Sequence, residues 1–154
     1  MELDHQLKIL IEDAAKHGIA PIVMEKAIAP VMKSLAIQLK HLEYYVLQNL
    51  QEDWIISVIS DRQSPMLEKK VIYAFSTVQD AKNSRMSKDV NLVAIALPTI
   101  QILFRVFSMQ QIDSIIFFPQ SGNITQGIEV KRHDLQNIIQ QQLRQLKTIP
   151  PDIA

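Results

Sequence analysis

Four histidines, His5, His17, His41 and His133, are the first side chains to weigh as metal ligands. None lies three or four residues from another, the spacing that puts two imidazoles on one helical face, so the sequence sets up no metal site. His5 and His17 fall instead on a helix surface or end, where a histidine near a C-terminus complements the helix dipole. Catalysis by paired carboxylates needs two acids converging in a pocket. Asp61, Asp113 and Glu129, the acids nearest strand ends, are each accounted for by a turn or an exposed strand face. A Ser or Thr nucleophile needs a base and an orienting acid, and no G-x-S-x-G elbow is present. Three glycines, at 18, 122 and 127, make neither a Walker loop nor a dinucleotide loop. The absence of cysteine removes disulfides, thiolate zinc sites, iron–sulfur clusters and thiol nucleophiles together. The expectation is a chain with no catalytic residues, no metal and no cofactor.

Two constellations remain that could bind. Lys131 and Arg132, followed by His133, stand where a strand gives way to a helix N-terminus, whose free N–H groups attract anions. With the turn residues Ser121, Gly122 and Asn123 they form a candidate anion or small-ligand site across the 119–133 loop and helix start. Against it stands Asp134, which already offers that first turn a negative charge. The other constellation is the segment from Pro98 to Gln111, where Ile100, Ile102, Leu103, Phe104, Val106, Phe107 and Met109 surround a helix axis. That is wider than one core face requires. Either the N-terminal helices cover its second side, or Ile100, Phe104 and Phe107 form an interface with another chain.

Sixteen basic residues balance sixteen acidic ones, so no overall field draws the chain to nucleic acid or an anionic membrane. No nucleic acid partner is expected, and the tyrosines are read as strand and core residues, not as a stacking row. The longest uncharged run, Val90 to Phe104, is too short to span a bilayer and is interrupted by Asn91, Pro98, Thr99 and Gln101. No membrane association and no secretory signal are expected, and the location read from this is cytoplasmic.

The elements that must position these residues follow from periodicity. The 154 residues suit one domain. A helical segment covers 1–42, a sheet-containing α/β part 43–147, and a tail 148–154. Leu3, Leu7, Leu10, Ile11, Ala14 and Ala15 recur at helical spacing before Gly18, a natural C-cap. Pro21 and Pro30 each suit a first helical turn, which predicts a second helix broken or kinked into 21–29 and 30–42, with Val31, Leu35, Leu39 and Leu42 buried.

Aromatic and β-branched residues predict strands near 43–49, 54–60 and 71–75, arranged as a meander with a polar turn at Asp61–Pro65. Ser76 and Thr77 cap a short helix through Lys82, and an exposed connection runs to Asp89. Leu92–Leu97, Pro98–Gln111 and Ser114–Phe118 read as strand, helix and strand, for which a right-handed parallel crossover is usual. A short strand at Ile128–Val130 leads to a last amphipathic helix with Leu135, Ile138, Ile139, Leu143 and Leu146 on one face and glutamines on the others. The fold class is α+β: N-terminal helices on a mixed sheet of about five or six strands, with a βαβ crossover and a C-terminal helix.

From about Val71 to Leu146 the order of features resembles the SseB (enhanced serine sensitivity protein) family. A strand runs into Ala74-Phe75-Ser76-Thr77-Val78, then come an apolar strand and helix, then Phe117-Phe118-Pro119-Gln120-Ser121-Gly122, then a short strand and an amphipathic helix. Where this chain has Phe118-Pro119-Gln120 the family favours Asn-Pro-Gly, and where it has Lys131 the family favours a small hydroxyl cap. The resemblance implies a small α/β interaction or regulatory module with no catalytic centre to transfer. The functional expectation is therefore a non-enzymatic protein-interaction or regulatory domain, meeting a protein partner or a second copy of itself. The alternatives are a small-ligand or anion-binding domain at 119–133 and, last, an enzyme with an unfamiliar acid/base pair.

Overall fold

In the computed structural model, which describes residues 2–60, 67–84 and 91–148, the N-terminal apolar spacing gives helix α1 (Leu3–Glu12). It tightens into a 3-10 turn at Ala14–His17 and ends at Gly18, whose φ of 70° is the left-handed conformation that a residue without Cβ adopts freely. The polar turn at 61–65, most of the 82–89 connection and the tail from 149 onward lie outside the described residues.

The break expected at Pro30 does not occur. Helix α2 (Pro21–Val23), a π-helical turn (Met24–Ile28) and α3 (Ala29–Leu39) follow one another without interruption. The Ala29 N–H bonds to the Met24 carbonyl, five residues back. A proline ring clashes with the carbonyl four residues before it and supplies no N–H, and the widened turn accommodates both defects. α3 stops at Lys40, which is left-handed with φ 72°, so Leu42 falls beyond the helix and is exposed, not part of its buried stripe.

The sheet contains β1 (Glu43–Gln48), β2 (Ser57–Ser60), β3 (Glu68–Phe75), β4 (Val93–Pro98), β5 (Ser114–Phe118) and β6 (Ile128–Lys131), in the order β4-β1-β3-β5-β6 with β2 attached to β3. The expected meander is replaced by a different arrangement. β1 pairs with β3 at Ala74 and Phe75, while β2 pairs with it at Glu68–Val71, both antiparallel, so β1 and β2 share one lane along β3. Between them the chain loops out. Asn49 Oδ1 accepts from the N–H groups of Gln51 and Asp53 at 2.9 and 3.0 Å, Glu52 has φ 67°, and the loop closes through a bridge from Gln48 to Trp54. That excursion tucks Trp54 into the core before the lane resumes at Ser57.

β3 and β5 are parallel, and β4 shares their direction because both β3 and β4 run antiparallel to β1. β4, helix α5 (Thr99–Ser108) and β5 therefore form a parallel crossover that passes over β1 and β3. One face of the sheet, with Tyr44, Val46, Ile72, Ala74, Ile115, Phe117 and Val130, belongs to the main core. The other carries a smaller cluster of Leu47, Phe75 and Phe118 under Ala81 of α4 (Val78–Asn83), whose N-cap Thr77 accepts from Asp80 N–H at 3.1 Å. Tyr44 and Tyr45 thus point to opposite faces, and Tyr44 is fully buried, so no tyrosine row forms. Burial pushes the Tyr44 phenol up to about 12, and its hydroxyl donates to the Leu39 carbonyl at the end of α3. Helix α6 (Arg132–Thr148) closes the core with Leu135 and Ile139, while Ile138, expected on the buried face, is 40% exposed.

α5 is apolar around most of its circumference because most of it is covered, with Gln101 and Ser108 left exposed. It packs against β4, α1, α3 and α6, and Ile100, Ile102, Leu103, Phe104 and Val106 are all buried. Its N-terminus has no cap of its own: Pro98 supplies none, and the exposed N–H groups of a first turn need acceptors. Gln6 of α1, only 4% exposed, provides one, its Oε1 accepting from Ile100 N–H at 3.1 Å while its Nε2 donates to the Leu42 carbonyl at 2.9 Å. Thr99 binds the same hinge, donating from Oγ1 to His41 O at 2.7 Å and from N–H to Leu42 O at 2.9 Å. Gln6→Met keeps the length of the side chain but leaves a buried N–H without its acceptor. It should cost about 2–4 kcal/mol, read as a lower urea midpoint at unchanged m-value.

Candidate functional site

The 119–133 site does not assemble. Gly122 N–H already points at the Asp80 carboxylate, at 3.2 and 3.0 Å to its two oxygens, which ties the loop to α4 and fills with protein the place an anion would take. That loop follows the C-terminal end of β5, whereas Lys131 is in register with Ser114 at the other end. Four strand residues, about 14 Å, separate the two ends. Asn123 binds within its own turn, its Oδ1 accepting from Thr125 N–H and Oγ1. Ser121 lies in the same exposed loop as Gly122. Arg132 turns inward, and its Nε donates to Phe107 O at 3.2 Å, placing a cation on the last carbonyls of α5. The interface residues are equally committed. Ile100 and Phe104 are buried and Phe107 is half-buried against the main core.

The candidate acids resolve as the sequence indicates for two of the three, and Asp61 lies outside the described residues. Asp113 Oδ2 accepts from Lys70 N–H at 2.8 Å, and its own backbone links β3 to the start of α6. Glu129 accepts from Ser114 Oγ at 2.7 Å and forms an ion pair with Lys69. No group of three or more metal-binding side chains converges among the described residues, and no helix among them is long and apolar enough to cross a membrane.

Hollows of about 420 and 200 Å³ border the 119–128 and 128–135 stretches, but neither joins Ser121, Gly122 and Asn123 to Lys131 and Arg132. A cleft of about 490 Å³ lies elsewhere, between α1 and α5. Leu10, Ile100 and Phe104 make its apolar wall, and His17, Gln101 and Arg105 stand around it. The His17 ring leans on Phe104 at 4.7 Å between centroids. Arg105 is half-buried, its guanidinium carbon over the Trp54 ring at 4.2 Å from the centroid, a cation–π contact. It has no acidic partner among the described residues, while Asp13 on the rim faces Lys16 at 3.4 Å. A half-buried guanidinium with no acidic partner among the described residues, beside an apolar wall, has the donors a planar anion requires and the surface an apolar body would cover. In the sequence Arg105 falls within the 98–111 helical segment and Trp54 at the start of the 54–60 strand segment. The signal available was one arginine within an otherwise uncharged helix, and nothing local ties it to a tryptophan fifty-one residues earlier.

Burial works against ionisation of Glu129, but the Lys69 ammonium and the Ser114 hydroxyl outweigh it and hold the carboxyl below its usual range. A carboxylate depressed in the folded state adds stability above its unfolded pKa and loses that contribution as pH falls through the lower folded value. Glu129→Gln should therefore cost about 1 kcal/mol at neutral pH, and thermal denaturation of the two proteins should converge in acid. No protein-family model matches this chain, and no curated protein matches it either.

Proposed function

We propose that this chain is a non-enzymatic binding domain whose α1–α5 cleft takes a small amphipathic anion, an apolar body ending in a carboxylate or phosphate. The observation that carries the reading is Arg105, over the Trp54 ring and without an acidic partner among the described residues, at the edge of an apolar cleft. A guanidinium so placed gains two parallel, charge-assisted hydrogen bonds from a carboxylate, and the wall of Leu10, Ile100 and Phe104 gains from covering an apolar tail. The non-enzymatic part of the reading is supported by the acids of the sheet, which are engaged by backbone, hydroxyl or ammonium groups and not paired in the cleft. It also accords with the resemblance of residues 71–146 to the SseB family, which implies an interaction or regulatory module.

Thermal shift with octanoate, benzoate and phenyl phosphate, against benzyl alcohol and inorganic phosphate, separates the two halves of the requirement. The three amphipathic anions should each raise the melting point at millimolar concentration, and the neutral and purely polar compounds should not. Arg105→Met should weaken binding by about ten- to a hundredfold, the range expected for one charge-assisted contact, and Arg105→Lys should weaken it less. Equal stabilisation by benzyl alcohol, or no response to any anion, overturns the proposal.

A further inference from the structure

The outer edge of β4 has no strand beside it among the described residues. Its register fixes which groups face outward. Thr99 N–H bonds to Leu42 O, so the pair Thr99–Leu42 is a hydrogen-bonded one, and alternation along the ladder makes Leu97–Tyr44, Ile95–Val46 and Val93–Gln48 hydrogen-bonded too. The N–H and C=O groups of Ala94 and Ala96 then point away from the sheet. The inward turn of the neighbouring residues is consistent: Leu47 O, in the pair opposite Ala94, points away from β4 and accepts from Ile55 N–H.

This edge lacks the usual guards. Charged side chains on an edge strand prevent strands of other molecules from adding, and Asn91 to Pro98 contains none. The outward positions carry alanine, the smallest side chain a strand can present with a Cβ. The sequence Val93-Ala94-Ile95-Ala96-Leu97 also reads nearly the same in both directions about Ile95. A two-fold interface has to be complementary to itself, and any charge near its axis would meet its own copy. An uncharged strand, symmetric about one residue and with its free backbone groups placed symmetrically around that residue, meets both conditions.

We propose that β4 pairs with β4 of a second copy of this chain, antiparallel and two-fold symmetric about Ile95, joining the two sheets into one. Ala94 of each copy lies opposite Ala96 of the other as a hydrogen-bonded pair exchanging both N–H···O bonds. Ile95 faces Ile95 in the closer, non-hydrogen-bonded position, with Val93 opposite Leu97 on either side. Pro98, which has no N–H, ends the ladder at the next outward position. The proposal is independent of the α1–α5 cleft.

The absence of native cysteine allows a direct test on the full chain. A non-hydrogen-bonded antiparallel pair places its Cα atoms about 4.5 Å apart, within the span of a disulfide. Ile95→Cys should give a covalent dimer, twice the 17.6 kDa chain, under oxidised glutathione at micromolar protein. Val93→Cys should form it at least tenfold more slowly, although Val93, at 43% exposure, is the more accessible of the two. Random collision predicts the reverse order. Sedimentation equilibrium of the unmodified chain should give a dimer that Ala96→Ser retains and Ala96→Pro, lacking the outward N–H, loses. A monomer at 100 µM, faster cross-linking of Val93→Cys, or a folded Ala96→Pro that remains dimeric overturns the pairing; should Ala96→Pro fail to fold, the cysteine comparison decides.

Discussion

The fold depends on how the ends of α5 are held. A helix whose ends are packed into the core cannot leave the N–H groups of its first turn or the carbonyls of its last turn to water. At the N-terminal end Pro98 offers no side-chain cap, and at the other end Met109 N–H and Ser108 Oγ meet the Val106 and Phe104 carbonyls but not that of Phe107. Gln6 reaches the N-terminal end from ninety-four residues away, and Arg132 reaches the C-terminal end from the residue that opens α6. Both contacts pin elements as well as atoms. Gln6 locks α1 to the 41–42 hinge that precedes β1, and Arg132, through Arg132 N–H to Asp113 O, fixes α6 where β5 begins. The helical N-terminal segment and the sheet are one structure because the helix between them is capped by both.

The same commitment explains why two expected surfaces are not surfaces. Arg132 cannot serve an anion while its Nε serves Phe107 O, and Ile100 and Phe104 cannot meet another chain beneath α1 and α3. Covering α5 does not, however, close the space beside it. α1 and α5 diverge enough to leave the cleft, and Arg105 at its edge is directed onto Trp54 because the loop after β1 carries that indole under the helix.

What was legible in the sequence was whatever one element decides alone. The α1 periodicity, the Gly18 cap, the Thr77 cap and the limits of β5 are all local, and the structure has them as read. The apolar girdle of α5 left two readings, cover by the N-terminal helices or contact with another chain, and the packing of α1 and α3 on α5 matches the first. The departures lie where two non-local demands compete. Pro30 signals a helix start, but 21–39 stays helical throughout, and a π turn absorbs the conflict. The runs at 43–48 and 57–60 read as neighbouring strands, but both are drawn to β3, whose length accommodates them end to end. The anion site failed for a related reason: fewer than ten residues separate Asn123 from Lys131, yet the two lie at opposite ends of one strand.

The two ends of the sheet are built on different principles. At β6 the edge strand is four residues long and carries Glu129 and Lys131, with Lys69 paired to Glu129 across β5 on the same face. These charges are solvated where they stand and would lose water if another strand were added, so that edge is closed by the cost of desolvation. At β4 the edge is longer, uncharged and alanine-faced, and nothing in its side chains opposes addition. An open apolar edge is a hazard in an isolated molecule, because any extended chain can use it. Symmetry about Ile95 narrows that freedom, since only a strand with the same palindromic pattern brings small residues opposite small ones and branched residues opposite branched ones along its whole length. The chain carries one such strand itself. A guarded edge at β6 and a self-complementary edge at β4 favour a pair of sheets over an array that grows through these two edges.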